Sequence, residues 1–125
     1  MKRKISFLVV AVLAIFPIFR ASATPENKPD PNFFIYLCIG QSNMEAGAVP
    51  AEQDKDFNNP RFQFMAAVDM PKLGREMGKW YTAIPPICRE GNNLGPVDFF
   101  GRKMIDILPS EYHVGVINVS VAGAK

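Results

Sequence analysis

Three short stretches rich in apolar residues predict β-strands. Phe33–Ile39 is rich in aromatic and β-branched residues and lies between Pro31 and Gly40, which is typical of a strand and too short for a buried helix. Phe62–Met65 and Val114–Val121 are the other strand candidates. Because Phe33–Ile39 is apolar at successive positions, we expect both of its faces to be covered, as in a parallel α/β sheet.

A helical period separates the second and third strand candidates. After Gly95-Pro96, apolar residues recur at three- and four-residue steps as far as Pro109, at Val97, Phe100, Met104, Ile105 and Leu108. These steps place the apolar side chains on one face of a helix, and proline suits its first turn. The order of strand, helix and strand predicts a βαβ arrangement with a right-handed crossover.

Two segments show no sustained period and are predicted to be irregular. Glu45–Asn59 is polar and contains Gly47 and Pro50, which indicates a long loop. Asp69–Asn93 carries six proline and glycine residues. Excursions of this length in a compact domain usually carry function or are poorly ordered.

The N-terminal stretch has the composition of a secretory signal peptide. A basic segment at positions 2–4 precedes the apolar run Ile5–Phe19 and the small-residue sequence Ala21-Ser22-Ala23, and these are the three parts of such a peptide. A retained membrane anchor is the alternative. The run of about 15 apolar residues is shorter than the roughly 20 that a transmembrane helix needs, so we predict cleavage after Ala23.

Cleavage would leave a proline-rich linker, residues 24–32, and one domain, residues 33–125. The domain would be exported, to the periplasm or the cell exterior, and would have no membrane partner. Of the 14 basic residues, four lie within residues 1–23, which leaves ten against 12 acidic residues. The net charge falls from +2 to −2, and without a basic cluster we expect no nucleic-acid partner.

The two cysteines would face an oxidising compartment after export. A disulfide between Cys38 and Cys88 is permitted there. Cys38 lies within a strand candidate, where a buried free thiol usually behaves as a small hydrophobic side chain. We favour free thiols over a disulfide.

A serine follows the first strand candidate directly, in the turn Gly40-Gln41-Ser42-Asn43-Met44. A serine hydroxyl becomes an effective nucleophile when it is exposed, has a base to remove its proton, and has donors for the oxyanion. The carboxyl ends of parallel strands are where such sites lie, and Gly40 would let the backbone turn sharply. A helical turn starting near Ser42 would supply N–H donors. The alternative is an ordinary turn serine.

The block from Gly40 to Glu45, after an apolar strand, resembles the nucleophile block of the SGNH-type hydrolases. It is most similar to that of the sialate O-acetylesterase-like group, which includes carbohydrate esterase family 6. Gly95-Pro96 opening a helix, and Val114–Ile117 running into Ala122-Gly123-Ala124, also resemble that group. The likeness spans most of residues 33–125.

This resemblance implies a three-layer α/β/α fold with a parallel sheet, here expected to be truncated after the third strand candidate. It implies removal of acetyl groups from carbohydrates, such as sialic acid or xylan, without a metal or organic cofactor. Ser42 would be the nucleophile, and the backbone N–H groups of Ser42 and Gly123 would bind the oxyanion. The sequence Ala-Gly-Ala departs from the Gly-Gly and small hydroxyl residue that are frequent in the group.

The group's catalytic histidine, with an aspartate three residues before it, lies near the C-terminus of the domain, and this sequence contains no such pair. We therefore expect the N-terminal part of an exported esterase. The alternative is a truncated, non-catalytic carbohydrate-binding fragment.

Two further residues have weaker claims to a role in the site. His113 is the one histidine, but it starts the last strand candidate. In a parallel sheet it would lie roughly 25 Å from Ser42, whereas a base must come within about 3 Å. Trp80, beside Tyr81, is either a sugar-stacking platform or a packing residue. In the same way, Arg89 and Glu90 form either a loop ion pair or substrate contacts.

Overall fold

The computed structural model describes residues 28–45, 47–91 and 93–124. The predicted signal peptide and the first part of the predicted linker lie outside these ranges. Within them, no helix is long and apolar enough to cross a membrane. The strands are β1 (Phe33–Cys38), β2 (Phe62–Met65), β3 (Trp80–Thr82) and β4 (His113–Asn118), and the helices are α1 (Ser42–Glu45), α2 (Glu52–Lys55) and α3 (Pro96–Ile107), with a 3-10 helix at Pro71–Leu73.

The four strands form one mixed sheet in the order β1-β4-β2-β3. β4 pairs in parallel with both β1 and β2, and α3 lies between β2 and β4 in the chain. This confirms the predicted parallel pairing around a crossover helix. β3 pairs with β2 in the antiparallel sense.

The prediction that Asp69–Asn93 is irregular was wrong at β3. This strand has only three residues, too few to show a period of two. Its residue Tyr81 pairs with Phe64, so the strand forms because a neighbour is available for pairing. The predicted loop Glu45–Asn59 likewise contains the short helix α2.

The hydrophobic core lies between α3 and one face of the sheet. The register pairs Phe62 with Val114 and Phe64 with Val116, and all four side chains are 0% exposed. Val97, Ile105 and Gly101 of α3 are buried against this face. Each large side chain buried here stabilises the fold by about 1.5–3 kcal/mol.

The opposite face of the sheet is open in the described residues. Ile35 and Leu37 of β1 alternate with the core-facing positions and are 53% and 60% exposed. The apolar run predicted a strand covered on both faces, whereas one layer of helix covers one face here. The described residues therefore form two layers, and the third layer of the expected α/β/α fold is not realised within them.

Arg61 fastens the C-terminal end of α3 to the sheet. Its guanidinium donates hydrogen bonds to the carbonyls of Ile105 (3.0 Å), Leu108 (3.1 Å), Pro109 (2.8 Å) and Tyr112 (2.9 Å). The last carbonyls of a helix have no partner within the helix, and α3 has no basic residue in its last turn. Arg61, which immediately precedes β2, supplies the missing donors.

The close contact between α3 and β2 leads to a stability prediction. A Cβ atom at Gly101 would lie 2.0 Å from the Phe62 ring. We expect Gly101→Ala to lower the free energy of unfolding by about 1–3 kcal/mol through overpacking, although alanine is normally about 1 kcal/mol better than glycine within a helix.

Urea unfolding of the purified protein measures this difference. Lys103→Ala, at an exposed position of the same helix, is the control and should change stability by less than about 0.5 kcal/mol. A Gly101→Ala variant as stable as the parent would contradict the proposed contact.

Candidate active site at the carboxyl ends of β1 and β4

Ser42 is the first residue of α1 and follows shortly after β1. The turn is closed by hydrogen bonds from the N–H groups of Met44 (2.8 Å) and Glu45 (3.0 Å) to the Gln41 carbonyl. Asn43, within this helical turn, is exposed, and so is Ser42. The predicted nucleophile therefore lies in a helical turn that is open to solvent, at the carboxyl end of a parallel strand.

Gly40 is needed in this turn for space and not for a left-handed backbone. Its φ is not positive, unlike that of Gly123. A Cβ atom at position 40 would lie 2.4 Å from the Met44 sulfur and 3.0 Å from the Met44 Cβ. The missing side chain of Gly40 lets Met44 pack back over the strand end.

The segment after β4 runs beside the Ser42 turn. The Val119 N–H donates to the Cys38 carbonyl (3.0 Å) and the Val121 N–H donates to the Gly40 carbonyl (3.2 Å), which extends the pairing of the two strands. The next N–H, that of Ala122, donates to the Glu45 carboxylate. The structure thus brings the segment that contains Gly123 next to the segment that contains Ser42.

Gly123 adopts a left-handed conformation, with a φ of 76°. Glycine adopts this region readily, whereas other residues are strained there. A hydrogen bond of 3.2 Å from the Ala124 N–H to the Val121 carbonyl closes the turn around Gly123. Apart from Gly123 and its two chain neighbours, no atom of the described residues lies within 4 Å of a Cβ built on Gly123, so the backbone conformation, and not crowding, is what requires glycine.

Glu45 connects the segment after β4 with the loop that contains Arg89. Its carboxylate lies 2.5 Å from Arg89 Nε, and its side chain is 11% exposed. Arg89 in turn donates from Nη2 to the Ser120 carbonyl (3.1 Å). Arg89 therefore pairs with Glu45 and not with its neighbour Glu90, whose carboxylate accepts the Lys72 backbone N–H.

A buried polar pair at the end of β4 makes a second junction. Asn118 and Ser120 are 3% and 0% exposed. The Asn118 Oδ1 accepts from the Ser120 hydroxyl (2.6 Å) and from its N–H (3.1 Å), while Nδ2 donates to the Met44 carbonyl (3.3 Å). Buried polar groups need such partners. Neither residue was predicted from the sequence, although two polar residues within an apolar stretch were a visible signal.

Gly95 approaches the same turn from the start of α3. A Cβ atom on Gly95 would lie 3.0 Å from the Met44 carbonyl oxygen. The Gly95 N–H donates to Asp98 Oδ2 (2.8 Å), as in a capping arrangement at a helix start. The Gly40–Glu45 block, the start of α3 and the segment after β4 therefore meet around α1.

Neither cysteine has the features of a second nucleophile. Both thiols are free, and Cys88 is buried with its sulfur 3.7 Å from the Ser120 carbonyl oxygen. Burial raises the pKa of both the Cys38 and the Cys88 thiol, which disfavours the reactive thiolate. In the described ranges, no group of three or more His, Cys, Asp or Glu side chains is arranged to hold a metal ion.

His113 lies at the amino ends of the parallel strands, whereas Ser42 lies at their carboxyl ends. It starts β4 and pairs with Phe33, the first residue of β1. Five strand steps of about 3.3 Å, roughly 17 Å in all, separate its level from that of Cys38, and Ser42 lies beyond Cys38. The structure does not bring His113 and Ser42 together.

Trp80 packs across the open face of the sheet. Its ring meets the Phe33 ring edge to face, with the ring centroids 5.1 Å apart. A Cβ atom on Gly115 would lie 2.8 Å from the indole. These contacts are toward the start of β1, so Trp80 acts as a packing residue in the described structure and is not placed beside the Ser42 turn.

The buried Asp98 gives the protein a pH-dependent stability. The residue is 2% exposed, Oδ1 has no hydrogen-bond partner within the described part of the chain, and burial raises its pKa above the ordinary value of 3.8 despite the bond from Gly95. A carboxyl whose pKa is raised on folding stabilises the folded state below its unfolded-state pKa, and that contribution is lost as the pH rises through the folded-state pKa.

We therefore expect Asp98→Asn, which keeps an oxygen acceptor, to gain stability relative to the parent at neutral pH. That advantage should shrink as the pH falls toward 3.8. Urea unfolding of both proteins across this range measures the difference, and Asp106→Asn, at an exposed position of the same helix, corrects for general charge effects. A difference that does not vary with pH would refute the assignment.

No protein-family model matches this sequence. Among solved structures, the chain is similar to that of NanS, with a TM-score of 0.53 and 17% sequence identity. The similarity covers 74% of this chain and 36% of the NanS chain, so this chain spans little more than a third of that protein. At this identity the likeness is one of fold: a mixed α/β architecture with a mostly parallel sheet, compatible with an α/β hydrolase-like fold.

Proposed function

We propose that this chain carries the nucleophile and oxyanion part of an exported serine esterase that removes O-acetyl groups from carbohydrates, such as acetylated sialic acid or xylan. The observation that supports this proposal best is the exposed Ser42 at the carboxyl end of β1, beside the Ala122-Gly123 backbone. The structural likeness to NanS supports the fold that this function requires. The family resemblance of the Gly40–Glu45 block supports the reaction type.

In the proposed reaction, the Ser42 hydroxyl attacks the carbonyl carbon of an acetyl ester. The N–H groups of Ser42 and Gly123 bind the negative oxygen of the tetrahedral intermediate. The sugar oxygen then leaves with a proton, and water hydrolyses the acetyl-serine to acetate.

The base that takes the Ser42 proton is not His113, because of its position at the far edge of the sheet. Glu45 is already bonded to the Ala122 N–H and to Arg89. The resemblance implies that an aspartate–histidine pair supplies this base in the complete domain.

A surface cleft of mixed polar and apolar lining offers contacts for the sugar. It has a volume of about 500 Å³ and is lined by Lys72, Leu73, Pro86, Glu90, Gly91 and Asn93. Glu90 adjoins Arg89, which reaches Glu45 in the Ser42 turn. The cleft combines charged, amide and apolar groups, which suits a carbohydrate ring, and we propose it in place of Trp80 as the substrate-contacting region.

A second candidate function is carbohydrate binding without catalysis. It is favoured by the absence of a histidine near Ser42 among the described residues. In that case the cleft would bind sugars, and Ser42 would be an ordinary turn residue.

Replacement of Ser42 separates the two functions. With Ser42→Ala, we expect acetate release from acetylated sialic acid or xylan by the full-length protein to fall by about 10³-fold or more. Covalent labelling by a fluorophosphonate, read by mass spectrometry, should also be lost. Ser110→Ala is a matched control, because Ser110 is exposed in the loop just before His113, at the far edge of the sheet.

Acetate release that persists in Ser42→Ala would refute the assignment of Ser42 as the nucleophile. Sugar binding by the parent protein with neither acetate release nor labelling of Ser42 would favour the non-catalytic function.

A further inference from the structure

The backbone around Gly123 is exposed and makes few contacts. Val121, Ala122, Gly123 and Ala124 are all exposed, and among the described residues no atom other than those of Gly123 and its chain neighbours lies within 4 Å of the side-chain position of Gly123. Packing therefore does not fix the direction of the Gly123 N–H. Its orientation depends on the hydrogen bonds of the residues on either side.

Two charged side chains hold this segment at two points. Glu45 accepts the Ala122 N–H, immediately before Gly123. Arg89 donates to the Ser120 carbonyl (3.1 Å), two residues further back, and is itself paired with Glu45. Hydrogen bonds to charged groups are roughly twice as strong as those between neutral groups, so this pair is the strongest restraint on the segment after Ser120.

Glu45 also belongs to α1, the helix that begins at Ser42. The Glu45 side chain therefore contacts the segment that contains Gly123, one predicted oxyanion donor. Its backbone lies in the same helical turn as Ser42, the other predicted donor. We infer that Glu45, supported by Arg89, is a positioning residue that sets the Gly123 N–H relative to Ser42 for oxyanion binding. This inference rests on the proposed function, and it assigns Glu45 a positioning role through its contacts with the Ala122 N–H and with Arg89.

The expected effect on reaction rate follows from the sensitivity of oxyanion stabilisation to geometry. A displacement of about 1 Å can cost about a hundredfold in rate, and loss of one donor costs about 10²–10³. Loosening of the Gly123 segment should therefore slow bond formation at Ser42 by roughly tenfold to a hundredfold. The affinity for a reagent that labels Ser42, such as a fluorophosphonate, should change little.

Hydrogen exchange tests the anchoring itself. In Glu45→Ala and in Arg89→Met, we expect amide exchange over residues 119–124 to accelerate by roughly tenfold or more, the effect of losing one charge-assisted bond. Glu45→Gln keeps an acceptor for the Ala122 N–H and should restore much of the protection. Glu111→Ala, at an exposed position on the opposite edge, is the control. Unchanged exchange in Glu45→Ala would overturn the inference, and so would loss of protection throughout β4, which would indicate general destabilisation.

The rate of Ser42 labelling by a fluorophosphonate tests the chemical consequence. With increasing reagent concentration, Glu45→Ala should lower the limiting rate and leave the half-saturating concentration unchanged, with recovery in Glu45→Gln. Faster exchange in Glu45→Ala without a slower limiting rate would refute the positioning role. If the complete domain, with its aspartate–histidine pair, is not labelled at Ser42, the proposed function fails, and the exchange result still decides whether Glu45 anchors the segment.

Discussion

The parallel pairing of β1 with β4 is the constraint on which the candidate site depends. Cys38 lies opposite Asn118, so the segments that follow β1 and β4 leave the sheet at the same end and at the same level. The bonds to the Cys38 and Gly40 carbonyls extend this register. A slip of one residue would turn each side chain to the other face, and Asn118 would leave the core side of β4 and lose its contact with the Met44 carbonyl.

Polar side chains then convert this proximity into a fixed arrangement. Asn118 and Ser120 are buried and satisfy each other, and Glu45 with Arg89 connects the same segment to α1 from the more exposed side. The two junctions use different chemistry. The amide and hydroxyl are shielded from water, whereas the ion pair is partly exposed and responds to charge substitutions.

Sequence patterns predicted the parts of the fold that are long or strongly periodic. Three strand candidates and the helix that begins at Pro96 were confirmed, with ends that differ by at most three residues and with Phe62–Met65 matched at both ends. β3 escaped prediction because three residues carry no period. The partner of Arg89 could not be read from the sequence either, since Glu45 lies far from it along the chain and meets it only after the sheet has formed. The role of Trp80 also depends on tertiary packing against Phe33.

The strand order has a consequence for how the site is assembled during synthesis. β1 leaves the ribosome first among the described strands, yet the strand with which it pairs, β4, follows about eighty residues later. Until then β1 exposes an apolar strand with unsatisfied backbone groups, which is prone to non-native association. The serine turn and its neighbouring segment can therefore meet only after β4 has been made, so the candidate site forms later than β1 itself.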